Sequence, residues 1–307
     1  MTAPQSAYKQ APAKTVPKPS WAQTFIALTR RGPLHVLLIF LAVLWLIPSF
    51  GILTTSFRSP ADIATSGWWT VFDELDRLNL DNYDEVLRNS QLAPPGITQN
   101  FVNTLIITFP STFLPIFFAA LAAYGFAWMH FPFRNTLYLT IIALLIIPLQ
   151  TTWVPVLRIY NIFGLAGTWP GIWLAHTAYG TPFAIFLLYN FFADLPGEVF
   201  DSARVDGASE LMIFFRIVLP LSTPALASLA IFQFVWVWND LLNALIFLQD
   251  SKMMPLTAGI RELLGQYGSQ WNLLAAGAFI SMIVPLMIFF SLQRYFVHGV
   301  TAGAVKG

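Results

Sequence analysis

Two stretches of this sequence carry side chains able to act together chemically. In the first, Phe232, Trp236, Asn239, Asp240 and Asn243 recur three and four residues apart, so they share one face if the segment is a single helix. Gln233 and Trp238 flank that stripe. An indole offers a flat apolar face to a pyranose-like ring, while Asn and Asp exchange hydrogen bonds with hydroxyl groups. The second stretch runs from Asp194 to Pro220 and reads Asp-Leu-Pro-Gly-Glu-Val-Phe-Asp-Ser-Ala-Arg-Val-Asp-Gly-Ala-Ser-Glu-Leu-Met-Ile-Phe-Phe-Arg-Ile-Val-Leu-Pro. It predicts two short helices joined at Asp206-Gly207. Pro196 suits a helix start, and Glu198 and Asp201 lie in early turns where the helix dipole favours acids. Gly207 permits a left-handed turn, and Ser209 or Asp206 can cap the second helix. Val199, Phe200, Ala203, Leu211, Phe214 and Phe215 supply apolar faces. Ser202, Ala203, Gly207 and Ala208 are small enough for another backbone to come close. A loop this apolar and this poor in cations is expected to dock into something. Its other reading, a helix resting on a membrane surface, fits less well because such helices favour Lys and Arg on the polar face.

Other chemistries are excluded by residue type. The chain has no Cys, which removes disulfides, thiolate ligands and thiol nucleophiles together. His35, His130, His176 and His298 show neither HExxH nor paired spacing, so no metal site is expected, and His176 reads as a packed, hydrogen-bonded residue. No Ser/His/Asp constellation can be drawn. No Gly is followed by Lys, so the phosphate loop G-x-x-x-x-G-K-[ST] cannot form and the chain cannot carry the usual P-loop ATP site. Its energy must come from a partner or from an ion gradient.

The elements that position these residues are membrane helices. The chain has 307 residues, 56% of them hydrophobic and 10% charged, where a soluble domain carries roughly 25% charged residues. Phe alone occurs 28 times, and mean hydropathy is +0.64. A soluble fold of this size has too little surface to hide so much apolar area. A bilayer core needs about 20 apolar residues per helix, and six segments qualify: 33–53, 101–128, 136–157, 171–193, 219–247 and 271–293. The first is longer than the ~15 residues of a signal-peptide core and has no A-x-A-like cleavage site. Residues 1–29 read as a disordered tail before a domain spanning 30–307. Pro48, Pro115, Pro148 and Pro285 fall inside spans and predict broken helices around a path. Lys9, Lys14, Lys18, Arg30 and Arg31 precede the first span, which places both termini in the cytoplasm by the positive-inside rule. The first outer loop, 54–100, is acidic and holds Trp68-Trp69, enough chain for a small cap. By helical rise Asp240 lies ~28 Å beyond Leu221, close to the outer interface. There Trp is common, so the stripe reads either as a substrate path or as an interfacial belt. Tyr267 and Trp271 read as anchors of the sixth span or as contacts of an outer partner. A net charge of +1 points to no nucleic-acid partner.

Asp201-Ser-Ala-Arg-Val-Asp-Gly-Ala-Ser209, followed by Ile217-Val-Leu-Pro220, resembles the EAA loop of ABC importer permeases, E-A-A-x-x-D-G-A…I-x-L-P. Asp201 stands for the motif's Glu and Ser202 for its first Ala. The likeness extends, in order, over roughly 33–307. Asn103-Thr104, Ala122-Ala-Tyr124, Phe131-Pro-Phe-Arg134, Ile147-Pro148-Leu-Gln150, Trp238-Asn239-Asp240 and the tail Gly299-Val-Thr-Ala-Gly303 with Lys306-Gly307 look like the carbohydrate-importer branch. Within it the chain is similar to the second membrane subunit of the maltose-permease type.

The resemblance implies an all-α integral membrane fold: six transmembrane helices of the type I importer permease, with a cytoplasmic coupling helix in 194–220. It implies a bacterial inner-membrane chain that forms the path with a second, homologous permease. Two ATP-binding subunits receive the EAA helix in a cleft, and an extracytoplasmic solute-binding protein delivers the carbohydrate. ATP and Mg then belong to the partner subunits, this chain holds no cofactor, and it is not itself an enzyme. Asp201, Ser202, Ala203, Asp206, Gly207, Ala208 and Pro220 become the coupling set, and Trp236, Asn239, Asp240 and Asn243 the candidate substrate path. The third outer loop, about 249–270, is implied to reach the binding protein, and the C-terminal tail the ATPases. The segment Ser56–Trp69 is similar to that of permeases for α-glucosides and glycosidic compatible solutes. The rival reading is a secondary transporter or channel driven by an ion gradient. It needs charged relay residues within the spans, and apart from Asp240 these are missing. A membrane scaffold or sensor would need a soluble signalling domain, and no stretch is long and polar enough.

Overall fold

The computed structural model describes residues 21–263 and 270–304, with side chains over 32–263 and 270–294. Among the described residues there are helices and connections and no strand. The chain divides into two compact units, Met1–Gly51 and Ile52–Gly307. The first is described through helix α1 (Trp21–Ser56), which contains Pro33 and Pro48 without ending at either. Its start lies inside the segment read as a tail, where Trp-Ala-Gln-Thr-Phe-Ile-Ala-Leu contains no helix breaker.

The second unit takes in the last residues of α1 and continues with α2 (Pro60–Thr65) and α3 (Asp81–Arg88), followed by the long α4 (Ile97–Trp128). Then come α5 (Arg134–Ala143), α6 (Leu149–Phe163) and α7 (Trp169–Ala193). A short pair, α8 (Gly197–Val205) and α9 (Glu210–Ile213), continues through a π-helical turn (Phe214–Val218) into α10 (Leu219–Leu221). The unit closes with α11 (Thr223–Trp238), α12 (Leu242–Phe247), α13 (Leu256–Glu262) and α14 (Trp271–Ala304). Among the described residues four helices are long and apolar enough to cross a membrane, over Gly32–Ser56, Ile97–Trp128, Trp169–Ala193 and Trp271–Arg294, and two bent pairs, each counted as one span, bring the number to six.

The bent pairs differ from the straight spans expected, for local reasons. The third span is α5 and α6 meeting at 105°. Pro148 disfavours a helical residue before it, and Ile147 is extended, with ψ 121°. The fifth span, read as unbroken over 219–247, is Glu210–Leu221 meeting α11 at 76°, and α11 ends at Trp238. Asn and Asp compete with helical backbone bonds through their side chains: Asp240 accepts the Asn243 backbone N–H at 3.4 Å and so starts α12 separately.

Helix α4 packs along α7, and α11 packs on both α4 and α14. Ala119, Ala120 and Ala123 of α4 and Ala184 of α7 are buried, since small side chains let membrane helices approach closely. Pro110 and Pro115 lie within α4 and Pro285 within α14, and the helices run on through them. Of the four prolines expected to break spans, only Pro148 stands at a break. A proline withdraws the N–H that would bond the carbonyl four residues earlier, and hydrocarbon offers no substitute. Neighbouring helices supply one. Trp173 Nε1 donates to the Ile106 carbonyl at 2.9 Å, four residues before Pro110. Gln233 Nε2 donates to Ser111 at 3.2 Å, four before Pro115. Trp238 Nε1 donates to Ser281 at 3.0 Å, four before Pro285. Gln233 passes directly over Gly180, where a Cβ would stand 2.6 Å from its Nε2.

Gln233→Leu, close in shape, should therefore cost about 1 kcal/mol of stability, the order measured for interhelical hydrogen bonds in membranes. In a Pro115→Ala background, where residue 115 again offers an N–H to Ser111, the cost should shrink. Melting of the four members of this double-mutant cycle in detergent checks it; a coupling energy of zero would refute the pairing.

Candidate functional site

The loop after α7 folds as a helical hairpin whose rear is fixed and whose tip is bare. Pro196 precedes α8, and Ser209 caps α9 by accepting the Met212 N–H at 3.3 Å. Gly207 sits at φ +82°, the left-handed turn its position called for. The turn is closed by backbone bonds from Gly207 to Arg204 at 3.0 Å and from Ala208 to Ala203 at 2.9 Å. Behind it Phe200, Ile213, Phe214 and Val218 are buried. The Phe200 ring lies 4.3 Å from Trp128, at the end of α4, and Trp128 Nε1 donates to the Phe192 carbonyl at 2.9 Å. Arg204 Nε reaches Glu210 Oε1 at 3.0 Å, and its Nη1 reaches Asp201 Oδ1 at 3.3 Å. The Tyr124 hydroxyl donates to the other Glu210 oxygen.

Most of the sequence-derived set faces solvent. Asp201, Ser202, Asp206, Gly207 and Pro220 are exposed, while Ala203 and Ala208 are half-buried where the turn closes. Val205 is 87% exposed and Leu211 65%. Of the apolar residues named from sequence, Phe200 and Phe214 turn inward, whereas Val199, Leu211 and Phe215 are exposed. A Cβ on Gly207 would meet nothing within 4 Å. Sequence reasoning missed Tyr124, Trp128 and Glu210. The first two are one helical turn apart on α4, and the acid directly after the Ser209 cap was the available signal for the third.

The second set is divided by the break after Trp238. Trp236, Phe232 and Gln233 of α11 line a cavity of about 590 Å³ with Tyr179 and Phe183 of α7 and Thr152 of α6. Thr152 and Tyr179 bond each other at 3.0 Å. Asn239 faces outward and donates to Val235 of its own helix at 2.8 Å. Asp240 Oδ2 stands 3.5 Å from His176 Nε2. Asn243 is buried and accepts Trp153 Nε1 at 2.9 Å. His176 is buried too, but its Nδ1 has no hydrogen-bond partner, and its ring meets Trp236 edge-on at 5.4 Å. The expected single stripe is thus a cavity wall, an outward amide and a buried polar junction, because the Asn-Asp pair ends the helix that would have aligned them.

At the other end of α4, Asn103 Nδ2 donates to the carbonyls of Lys252 at 2.8 Å and Met254 at 3.0 Å. Thr104 Oγ1 accepts the Leu256 N–H at 2.7 Å. Nearby, Arg58 is buried and donates to Asp62 O at 3.1 Å and Ser66 O at 3.4 Å, which closes the α2 segment. Asn272 of α14 ties in α3 through Asn82 at 2.7 Å. Trp69 is 64% exposed and Trp271 56%. Tyr267 and Lys306-Gly307 lie outside the described residues.

Comparison with known proteins finds a matching family and similar chains. The family described as "Binding-protein-dependent transport system inner membrane component" matches residues 93–302. The "Osmoprotective compounds uptake permease protein GgtD" of Synechocystis sp. is 51% identical over 278 residues, 89% of this chain and 92% of that one. The "Alpha-glucoside transport system permease protein AglG" of Rhizobium meliloti is 52% identical over 238 residues, 75% of this chain and 61% of the relative's length. Among solved structures, a bacterial ABC transporter that imports the acidic polysaccharide alginate shares the fold, with a TM-score of 0.71 at 20% identity over 92% of this chain and all of that one.

Gly207→Val should lower the stability of the purified chain by about 1–2 kcal/mol, the cost of a left-handed residue that carries a Cβ. Gly207→Asn should cost less, since Asn tolerates that region. Thermal melting of both in detergent checks the order. Equal costs would show that backbone strain is not what reserves the position for Gly.

Proposed function

The chain belongs to the binding-protein-dependent transport system inner membrane components, as a multi-pass permease of the carbohydrate-uptake ABC type, and we propose that it is one of two permeases in an ATP-driven importer of an α-glucoside or glycosylated osmoprotectant. The observation that carries the reading is the coupling hairpin, a bare tip over 205–207 held from behind by Trp128 and Tyr124. On this reading the exposed set Asp201, Ser202, Asp206 and Gly207, with Ala203 and Ala208 beneath, enters a cleft of an ATP-binding subunit. Pro220 stands at the bend into α11. The hairpin and both termini then face the cytoplasm, and ATP with its Mg is bound and hydrolysed on the partner subunits. The capped segment 57–88 and the connection 249–256 face outward, toward a solute-binding protein.

The substrate route is proposed along the cavity beside Trp236. Its walls are mostly apolar, with a few convergent polar groups from Thr152, Tyr179 and Gln233, the usual character of a ligand site, and its volume falls in the usual range. The indole supplies the flat face for a sugar ring, and Asp240 and Asn243 lie beyond it. One observation favours the rival reading: the pair of buried His176 and half-buried Asp240 has the composition of a proton relay in an ion-driven carrier.

Gentle affinity purification from the native membrane separates the two. The importer should yield two copies of a Walker-type ATPase and one homologous permease, with uptake that needs ATP and survives a protonophore. A chain recovered alone, with uptake abolished by the protonophore, would establish the rival. Gly207→Val should cut the recovered ATPase several-fold. Trp236→Ala and Asp240→Ala should each lower uptake about tenfold or more with all subunits still recovered, and unchanged uptake in both would remove the cavity from the path.

A further inference from the structure

We propose that α4 is a rod that carries displacement between the coupling hairpin and the segment 252–256, so that Tyr124 and Trp128 at one end, and Asn103 and Thr104 at the other, are positioning residues for transport. The inference rests on the importer reading. The hairpin is covalently joined to α7 and, through α10, to α11, and shares an apolar cluster with both, yet its side-chain hydrogen bond and its ring contacts beyond the hairpin run to α4, 86 residues away in sequence from Tyr124 to Glu210. Tyr124 and Trp128 lie one turn apart and grip different arms. Trp128 packs on Phe200 of α8 with ring centres 4.3 Å apart, and Tyr124 bonds Glu210 at the start of α9. Glu210 in turn holds Arg204 at 3.0 Å, so the polar link spans the Gly207 turn.

The far end has the same design. Asn103 and Thr104, each 1% exposed, occupy three backbone groups of 252–256. Between Asn103 and Trp128 the helix rises about 37 Å, the thickness of a membrane core and part of its interface. Two prolines would ordinarily make such a helix a hinge. Here the carbonyls that they free are taken by Trp173 and Gln233, and α4 stays continuous over 32 residues. A stiff element gripped at both ends transmits, and the coupling is necessarily reciprocal: what shifts the hairpin shifts 252–256, and the reverse.

The test uses the complete importer in nanodiscs, with hydrogen exchange followed at residues 197–213 and 252–256 with and without Mg-AMP-PNP as the probe. In the unaltered complex, nucleotide should change exchange at both segments, by fivefold or more at 252–256. Tyr124→Phe removes one hydroxyl and Asn103→Ala one amide. Each should keep the response at 197–213 and reduce that at 252–256 at least threefold. The double variant should be no worse than the stronger single one, as for two breaks in one rod. An undiminished far response in both single variants, or additive losses in the double, would overturn the rod. A complex without ATPase subunits, or one with no nucleotide response at 197–213, would overturn the importer reading and the rod with it. The two failures are therefore distinguishable.

Discussion

A backbone carbonyl inside hydrocarbon must find a donor within the protein, and most of this architecture follows from how that demand is met at the prolines. Pro110, Pro115 and Pro285 each leave one carbonyl free, and an indole or amide from another helix takes it. The three ties join α4 to α7, α4 to α11, and α11 to α14, the same neighbours that share the apolar core. Their individual energies are modest, commonly below 1 kcal/mol in membranes. Their consequence is specificity: a Trp or Gln donor has to stand at one depth and one azimuth, which packing of Ala, Leu and Phe alone does not demand. Prolines that would loosen isolated helices thereby select which helices are neighbours.

The same rule explains where the openings are. At Pro148 the chain breaks instead of bridging, α5 and α6 meet at 105°, and the bend over 144–147 forms the cavity wall together with α6, α7 and α11. Its polar groups are largely provided for: Thr152 and Tyr179 answer each other, and Gln233 Nε2 donates to Ser111. A pocket whose polar atoms already have partners accepts a polyol only by exchanging those bonds. On the proposed substrate route, that favours ring stacking on Trp236 as the primary attraction, with hydroxyl recognition as the discriminating step. The break after Trp238 sets the other boundary, since it turns Asp240 toward His176 and away from the continuing helix face.

Much of this was legible in the sequence, within a clear physical limit. Hydropathy gave the membrane class and the approximate spans, because lipid imposes a length on each crossing. Local rules gave the hairpin: Pro196 before α8, Ser209 as a cap and Gly207 in the left-handed region are all fixed by residues within a few positions of one another. Partners distant in sequence were hidden. Nothing near Ser111 announces Gln233, and nothing near Asn103 announces Met254, because each pair meets only after the helices pack. The stripe from Trp236 to Asn243 was misjudged as one face for a related reason. Spacing presumes a continuous helix, and the Asn-Asp pair inside it was the local signal that the helix ends.

The division of labour within the hairpin follows from magnitudes. Its charged triad is partly open to solvent, with side-chain exposures of 36% for Arg204, 39% for Glu210 and 78% for Asp201, and ion pairs so exposed contribute little to stability. Full burial of a Phe contributes about 1.5–3 kcal/mol, and Phe200 and Phe214 are 0% and 1% exposed. The aromatics therefore hold the hairpin to the membrane domain, and the charges set the angle between its arms. The tip keeps its shape through its own backbone bonds and through this support from behind. Val205, 87% exposed, stands as an apolar knob outside the fold on a turn closed by backbone bonds.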